Sequence, residues 1–460
     1  MTTPEVRRPD VAIIGGGICG IGAAIEIERQ GLGEPLILER ADELGGTWRD
    51  NTYPGCACDI PTVLYSFDFA PNPDWTRLFA PGPEIQRYVL DVVERFGVRR
   101  RASLGTEVHS ARWNATAQRW ELDTSTGPVE APHLVIAAGP LHEPVWPDVP
   151  GRDTFAGDAF HSSQWRHDLD LRGRRVAGGG TGASAGQFVP RIQPEVEELV
   201  LLQRTPAWVM PRPDRPFTGV ERWAFRRFPA VQRALRVVLS AFFDQMIRST
   251  HRPNLVRRLA HPIGVWNIRR GVKDPATVAA LTPDYVLGCK RALVSNEYYP
   301  AVGKPNVTLV PHALGEVVAD GVIDATGAHH RVDTIIYATG FHVTDLPVAD
   351  RVFDARGVSL ADVWDGHPRA YRGTSLAGFP NASMLFGPNI GTANAFTMLA
   401  AQLRFVIDGL RKQRAGGWGA MEVRAEAEDR WNVRVHRAMD GSVFLAEAGA
   451  GEVLGAVCAE

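Results

Sequence analysis

The feature that most constrains this chain is a pattern that occurs twice: an apolar run, a glycine turn, a helical stretch and a second apolar run. The first copy reads Val11-Ala12-Ile13-Ile14, then Gly15-Gly16-Gly17-Ile18-Cys19-Gly20, then a stretch with Ile18, Ile21 and Ile25 on one face. It ends in Leu36-Ile37-Leu38-Glu39. The second begins at Val176, passes Gly180-Thr181-Gly182-Ala183-Ser184-Ala185, and ends in Leu199-Val200-Leu201-Leu202. Short apolar runs bounded by glycine read as buried parallel strands, and the stretch between them has helical periodicity. The repeat predicts an α/β fold with two Rossmann-like dinucleotide-binding domains.

The two copies differ where the adenosine end of a nucleotide would lie. Gly15, Gly17 and Gly20 permit the tight turn and let backbone approach a pyrophosphate at a helix N-terminus. Gly180, Gly182 and Ser184 occupy the second turn. Glu39 follows Gly15 by 24 residues, and the same offset from Gly180 falls on Arg204. A carboxylate accepts hydrogen bonds from ribose hydroxyls but repels a 2′-phosphate; a guanidinium pairs with that phosphate bidentately. The first site is therefore expected to hold FAD or NAD and the second NADP(H). Together they suggest a flavoprotein reduced by NADPH.

Hydrophobic residues at 45% and charged residues at 22% exclude disordered and fibrous classes. A net charge of −2 supplies no field to recruit nucleic acid. No apolar run of about 18 residues exists to span a membrane, and Met1 to Asp10 lacks a signal-peptide core. Five cysteines without a CxxC pair are expected to be reduced, which suggests a cytoplasmic protein and argues against a zinc ribbon or a dithiol reductase. No metal site is expected. The proline-rich segment 139–151 reads as a linker, and Ala338-Thr339-Gly340 as a further strand-end turn. The expected division is 1–142 and 343–460 for FAD, 151–205 and 286–342 for NADP, with a helical insertion at 206–285. Within the insertion, 233–247 is apolar on one side and basic at its flanks. A core-packed face accounts for such a pattern; a membrane surface is the alternative.

At Gly45-Gly46-Thr47-Trp48, Tyr53-Pro54-Gly55 and Asp59 the sequence resembles the Baeyer–Villiger monooxygenases. Their pattern is Gly-Gly-x-Trp, four residues, Phe/Tyr-Pro-Gly, three residues, Asp. Phe155-x-Gly157, His161 and Trp165 resemble a second family pattern, followed here by Arg166 instead of Pro or Asp. Gly288-Cys289-Lys290-Arg291 with Tyr298-Tyr299 resembles the segment that carries the active-site arginine. The resemblance implies that Arg291 and Asp59 are catalytic. It places Gly46, Thr47, Trp48, Asp59, Tyr65, Val108 and Asn389 at FAD, and Arg204, Thr205 and Lys290 at the NADPH phosphate. His161 reads as a structural or hinge residue.

The implied reaction is oxygen insertion next to a ketone carbonyl, giving an ester or lactone, from O2 through a C4a-peroxyflavin. The substrate is expected to be a small hydrophobic molecule. Oxidation of nitrogen or sulfur, hydroxylation, or a flavoprotein with an impaired NADPH site are the alternatives. Two features suggest weakened NADPH binding. The strand before the second turn carries Gly178 and Gly179 where the first has Ile13 and Ile14, and lost core side chains cost about 2–5 kcal/mol each. Segment 446–460 has no tryptophan, whereas the family's closing loop bears one.

Overall fold

The computed structural model describes residues 5–249, 251, 255, 258–389 and 394–443. Segments 390–393 and 446–460 lie outside the described residues.

Each glycine-turn unit builds its own five-stranded parallel sheet. In the first, the order is Ala382–Met384, His133–Ile136, Val11–Ile14, Pro35–Leu38, Ala102–Ser103. In the second it is Val307–Val310, Glu198–Leu202, Arg175–Gly179, Thr334–Tyr337, Asp158–His161. All ladders in both sheets are parallel. A parallel strand in mid-sheet is covered on both faces, which is why Val11–Ile14 and Glu198–Leu202 are almost continuously apolar. The helices Ile18–Arg29 and Ala183–Ile192 follow the two turns. The first sheet is completed by Ala382–Met384, so the chain returns to its first unit after building the second.

The turns are superimposable in chemistry. At Gly15 (φ +105°) a Cβ would lie 2.5 Å from the Ala137 carbonyl oxygen; at Gly180 (φ +110°) it would lie 2.5 Å from that of Ala338. Gly15 N–H donates to Leu38, and Gly180 N–H to Leu202. Ala137 N–H donates to Ile14, and Ala338 N–H to Gly179, both at 2.8 Å. The turn at Ala338-Thr339-Gly340 is thus the counterpart of Ala137-Ala138-Gly139. Thr339 Oγ1 donates to the Val145 carbonyl at 2.5 Å, tying that turn to the segment between the sheets.

Two expectations are corrected. The paired glycines leave no hole in the second sheet. A Cβ at Gly178 would lie 2.9 Å from Leu201 Cδ2, and one at Gly179 would meet Tyr337 at 3.7 Å. Both residues are buried and pair on both sides, with Leu201 and Ile336 flanking Gly178. Neighbours occupy that space, so the glycine pair gives no ground for a weakened NADPH site; the other ground, segment 446–460, lies outside the described residues. The face of 233–247 is not simply core. In the helix Pro229–Ser249, Leu235, Leu239 and Phe243 pack on the first core, while Val237, Val238 and Phe242 stand exposed.

His161 ends the edge strand Asp158–His161 instead of lying in a linker. It is fully buried between the rings of Trp146 and Phe341, with Nδ1 2.8 Å from Ser163 Oγ. Burial pushes its pKa down to about 4, and that of His133 likewise.

Two outcomes follow from this packing. Gly178→Val forces a methyl into Leu201, so thermal unfolding should show a loss of about 1–3 kcal/mol. The two depressed imidazoles contribute stability that is complete above their unfolded pKa of about 6.5 and is lost as pH falls from there through about 4. Urea unfolding at pH 7 and pH 5 should show the decline, and His161→Asn should flatten it.

Candidate active site

One continuous cleft of about 1620 Å³ runs between the two glycine turns and under the helical insertion. Its size exceeds that of an ordinary single-ligand pocket and suits two dinucleotides and a substrate.

Gly15, Gly17, Gly180 and Gly182 line it from the two turns. Gly17 and Gly182 are the N-caps of Ile18–Arg29 and Ala183–Ile192, and neither helix has a side-chain cap or an acid in its first turn. Some helices elsewhere in the chain are capped, by Thr218, Asp274 and Ser359 among others. Both cleft helices therefore offer N–H groups and positive dipole ends to an anion, which fits a pyrophosphate. Gly20 lies behind the turn. A Cβ there would collide with the Gly15 carbonyl, so its part is close packing. Ser184 also lines the cleft from the second helix.

Glu39 leaves the strand Pro35–Leu38 and turns back under the first turn. Its Oε2 accepts from Gly16 N–H at 2.7 Å and Oε1 from Ala41 N–H at 2.9 Å. Arg49, which the sequence reasoning missed, pairs with Oε1 at 3.1 Å. A carboxylate has lone pairs beyond these, so Glu39 is held in place with acceptor capacity left for a ribose. Gly46 (φ +56°) sits where a Cβ would come within 2.9 Å of Gly17 Cα, which brings the Gly-Gly-x-Trp segment against the turn. Thr47 and Trp48 follow on the cleft wall. Trp48 Nε1 donates to Tyr65 Oη at 3.1 Å, and the rings meet edge to face. Burial pushes the Tyr65 phenol well up, so it remains protonated. Val108 lines the cleft, with Arg351 donating to its carbonyl at 3.1 Å.

Arg204, Thr205 and Lys290 line the part of the cleft belonging to the second turn. Thr181 Oγ1 donates to the Thr205 carbonyl at 3.3 Å, and Lys290 lies over the Tyr285 ring. Asn389 is not brought to the cleft. It holds a left-handed backbone (φ +59°), and its amide donates to Pro368 and to Asn432 Oδ1 at 2.7 Å.

Arg291 and Asp59 are 232 residues apart and meet at 2.5 Å, Nη2 to Oδ2. The Asp59 carboxylate holds the guanidinium above its ordinary value. The Arg291 side chain is 54% exposed and lines the cleft. The seam is fixed by Gln187 from the second unit. Its Oε1 accepts from Tyr53 Oη at 3.0 Å and Ala57 N–H at 3.2 Å, and its Nε2 donates to the Ala57 carbonyl at 2.9 Å. Arg212 of the insertion donates to the Cys58 carbonyl at 3.0 Å. Neither residue carries a sequence signal, since both act through contacts far away in the chain.

Two glycine-turn units opening on one cleft, lined by Glu39 from the first and Arg204 from the second, fit a flavoprotein oxidoreductase. Among the described residues Cys19, Cys56 and Cys58 are free thiols. A family profile, pyridine nucleotide-disulphide oxidoreductase, matches residues 12–188. The chain is 46% identical over 438 residues to a Baeyer–Villiger monooxygenase of Streptomyces coelicolor, covering 94% of this chain and 84% of that one. It is 40% identical over 447 residues to a Baeyer–Villiger monooxygenase of Pseudomonas aeruginosa, covering 96% and 85%. Cyclohexanone monooxygenase from Rhodococcus sp. Phi1 bound to NADP+ is similar with a TM-score of 0.86 at 28% identity, over 99% and 94% of the chains. This chain belongs to the Baeyer–Villiger monooxygenases, FAD-dependent enzymes that use NADPH.

Replacing the guanidinium tests the centre of the site. Arg291→Ala should lower kcat about 10²–10³-fold, the scale for losing one oxyanion donor. Arg291→Lys should recover only part, because an ammonium lacks the planar fork.

Proposed function

We propose that this enzyme inserts one oxygen atom of O2 beside the carbonyl of a small hydrophobic ketone, with Arg291 as the catalytic cation. The observation that carries this reading is the Arg291–Asp59 pair, set on the cleft into which both uncapped helices open. Bound FAD supplies oxygen activation, using hydride from NADPH, and the second oxygen atom leaves as water.

The chain's own residues then do three things. Arg291 presents permanently charged donors where negative charge grows on the carbonyl oxygen. Asp59 acts through Arg291: it orients the guanidinium and preserves its charge. Phe242, Phe243, Met246 and Ile247 form an apolar wall of the cleft that receives an apolar substrate and displaces water from the reacting groups. We assign FAD to 1–142 with 343–460 and NADPH to 151–205 with 286–342, with 206–285 shaping the substrate side. The free thiols are in keeping with the cytoplasm.

Product analysis with a ketone and a thioether tests the reaction. Ester is expected from the ketone; sulfoxide from the thioether with no ester would sink the reading. Arg204→Ala should raise the KM for NADPH about 10–100-fold and leave that for NADH nearly unchanged, since it removes a charge-assisted contact worth about 1.5–3 kcal/mol.

A further inference from the structure

We propose that the helical insertion docks the enzyme on an anionic membrane surface and admits a membrane-dissolved substrate to the cleft. Residues 220–271 hold eleven arginines and no lysine against two acids, Glu221 and Asp244. That is a net charge of +9 in a chain whose total is −2, so the remaining residues carry −11. Positive charge is segregated to one segment.

The same segment exposes large apolar side chains on the helices Gly219–Arg227, Pro229–Ser249 and His261–Gly271. Trp223, Val237, Val238, Phe242 and Trp266 are 53–68% exposed, and Val231, Met246, Leu259 and Ile263 accompany them. Apolar side chains standing singly on a surface need no explanation; a group of this size does. The opposite side of Pro229–Ser249 is held to the body. Leu235, Leu239 and Phe243 pack on the first core, and Arg236 pairs with Asp68 at 2.6 Å. Arg226 pairs with Asp74 at 2.5 Å. The insertion is thus anchored, and its apolar face is turned outward.

Charge decides what covers that face. Exposed indoles and aliphatic side chains among arginines are the composition that binds an anionic lipid interface. A second copy of this chain is disfavoured, because a two-fold contact would set the +9 segment against itself. Among the described residues no helix is long and apolar enough to cross a membrane, so the attachment is peripheral.

The face is also continuous with the cleft. Phe242, Met246, Leu255 and Leu259 are exposed and line the cleft at once. An apolar path therefore leads from the docking face toward Arg291, and an apolar molecule can follow it without entering bulk water. The substrate half of this inference rests on the proposed oxygenation; the docking half does not.

Co-sedimentation of the FAD-loaded enzyme with lipid vesicles tests it. Vesicles of phosphatidylcholine with about one-third phosphatidylserine should bind at least about tenfold more enzyme than phosphatidylcholine alone, and salt should weaken the binding. Val237→Glu/Val238→Glu and, separately, Arg233→Glu should each reduce vesicle binding, the double variant by about tenfold or more. Turnover of a water-soluble ketone in buffer should be unchanged, which also shows that the variants fold. Failure to bind anionic vesicles, or equal binding by both variants, would overturn the proposal. So would a dimer in solution that the double variant dissociates. Vesicle binding without turnover of any ketone would uphold the docking and overturn the oxygenation reading.

Discussion

At Gly15 and again at Gly180 the main chain passes so close to a neighbouring carbonyl that no side chain can be present. A Cβ at either position would lie 2.5 Å from the oxygen of Ala137 or Ala338. That approach lets each turn fold directly from the end of a central strand into a helix, and it leaves the helix N-terminus facing the cleft. The absence of a capping side chain at Gly17 and Gly182 then matters, because those N–H groups stay available to a phosphate. Sheet order, helix direction and anion site all depend on the same steric condition, met twice.

The Arg291–Asp59 pair lies between the two units rather than within either. Asp59 comes from the segment after the first turn, and Arg291 from the far side of the insertion. Their contact requires the seam to hold, and Gln187 and Arg212 hold it through backbone groups of Ala57 and Cys58. Because these partners are main-chain atoms, the amide and the guanidinium locate the Asp59 segment whatever side chains it carries. A cation placed in this way costs no reorganisation when negative charge develops beside it.

Much of this was legible in the chain because nucleotide-binding turns are local. The strands Val11–Ile14, Val307–Val310 and Thr334–Tyr337 and the acid–arginine contrast of Glu39 and Arg204 all follow from spacing within a few tens of residues. Asn389 stands apart from the cleft lining because its side-chain direction depends on Pro368 and Asn432, which local pattern does not disclose. The Gly178-Gly179 pair misled for a related reason. Its volume is made up by Leu201 and Tyr337 from neighbouring strands, and one strand read alone shows only a loss.

The helix Pro229–Ser249 marks the division most clearly. Its residues dictate an amphipathic helix and a basic segment, since both are properties of order along the chain. Which apolar side chains meet the core and which meet water was decided by tertiary packing, because Leu235, Leu239 and Phe243 can be buried only against elements contributed by distant residues. By itself the sequence determined two glycine-turn units and the acid–arginine contrast between them, through steric and charge rules that act locally. Tertiary structure alone decided that Arg291 meets Asp59 in a shared cleft and that the insertion leaves Val237, Val238 and Phe242 exposed. Contacts across hundreds of residues form only when the sheets have packed.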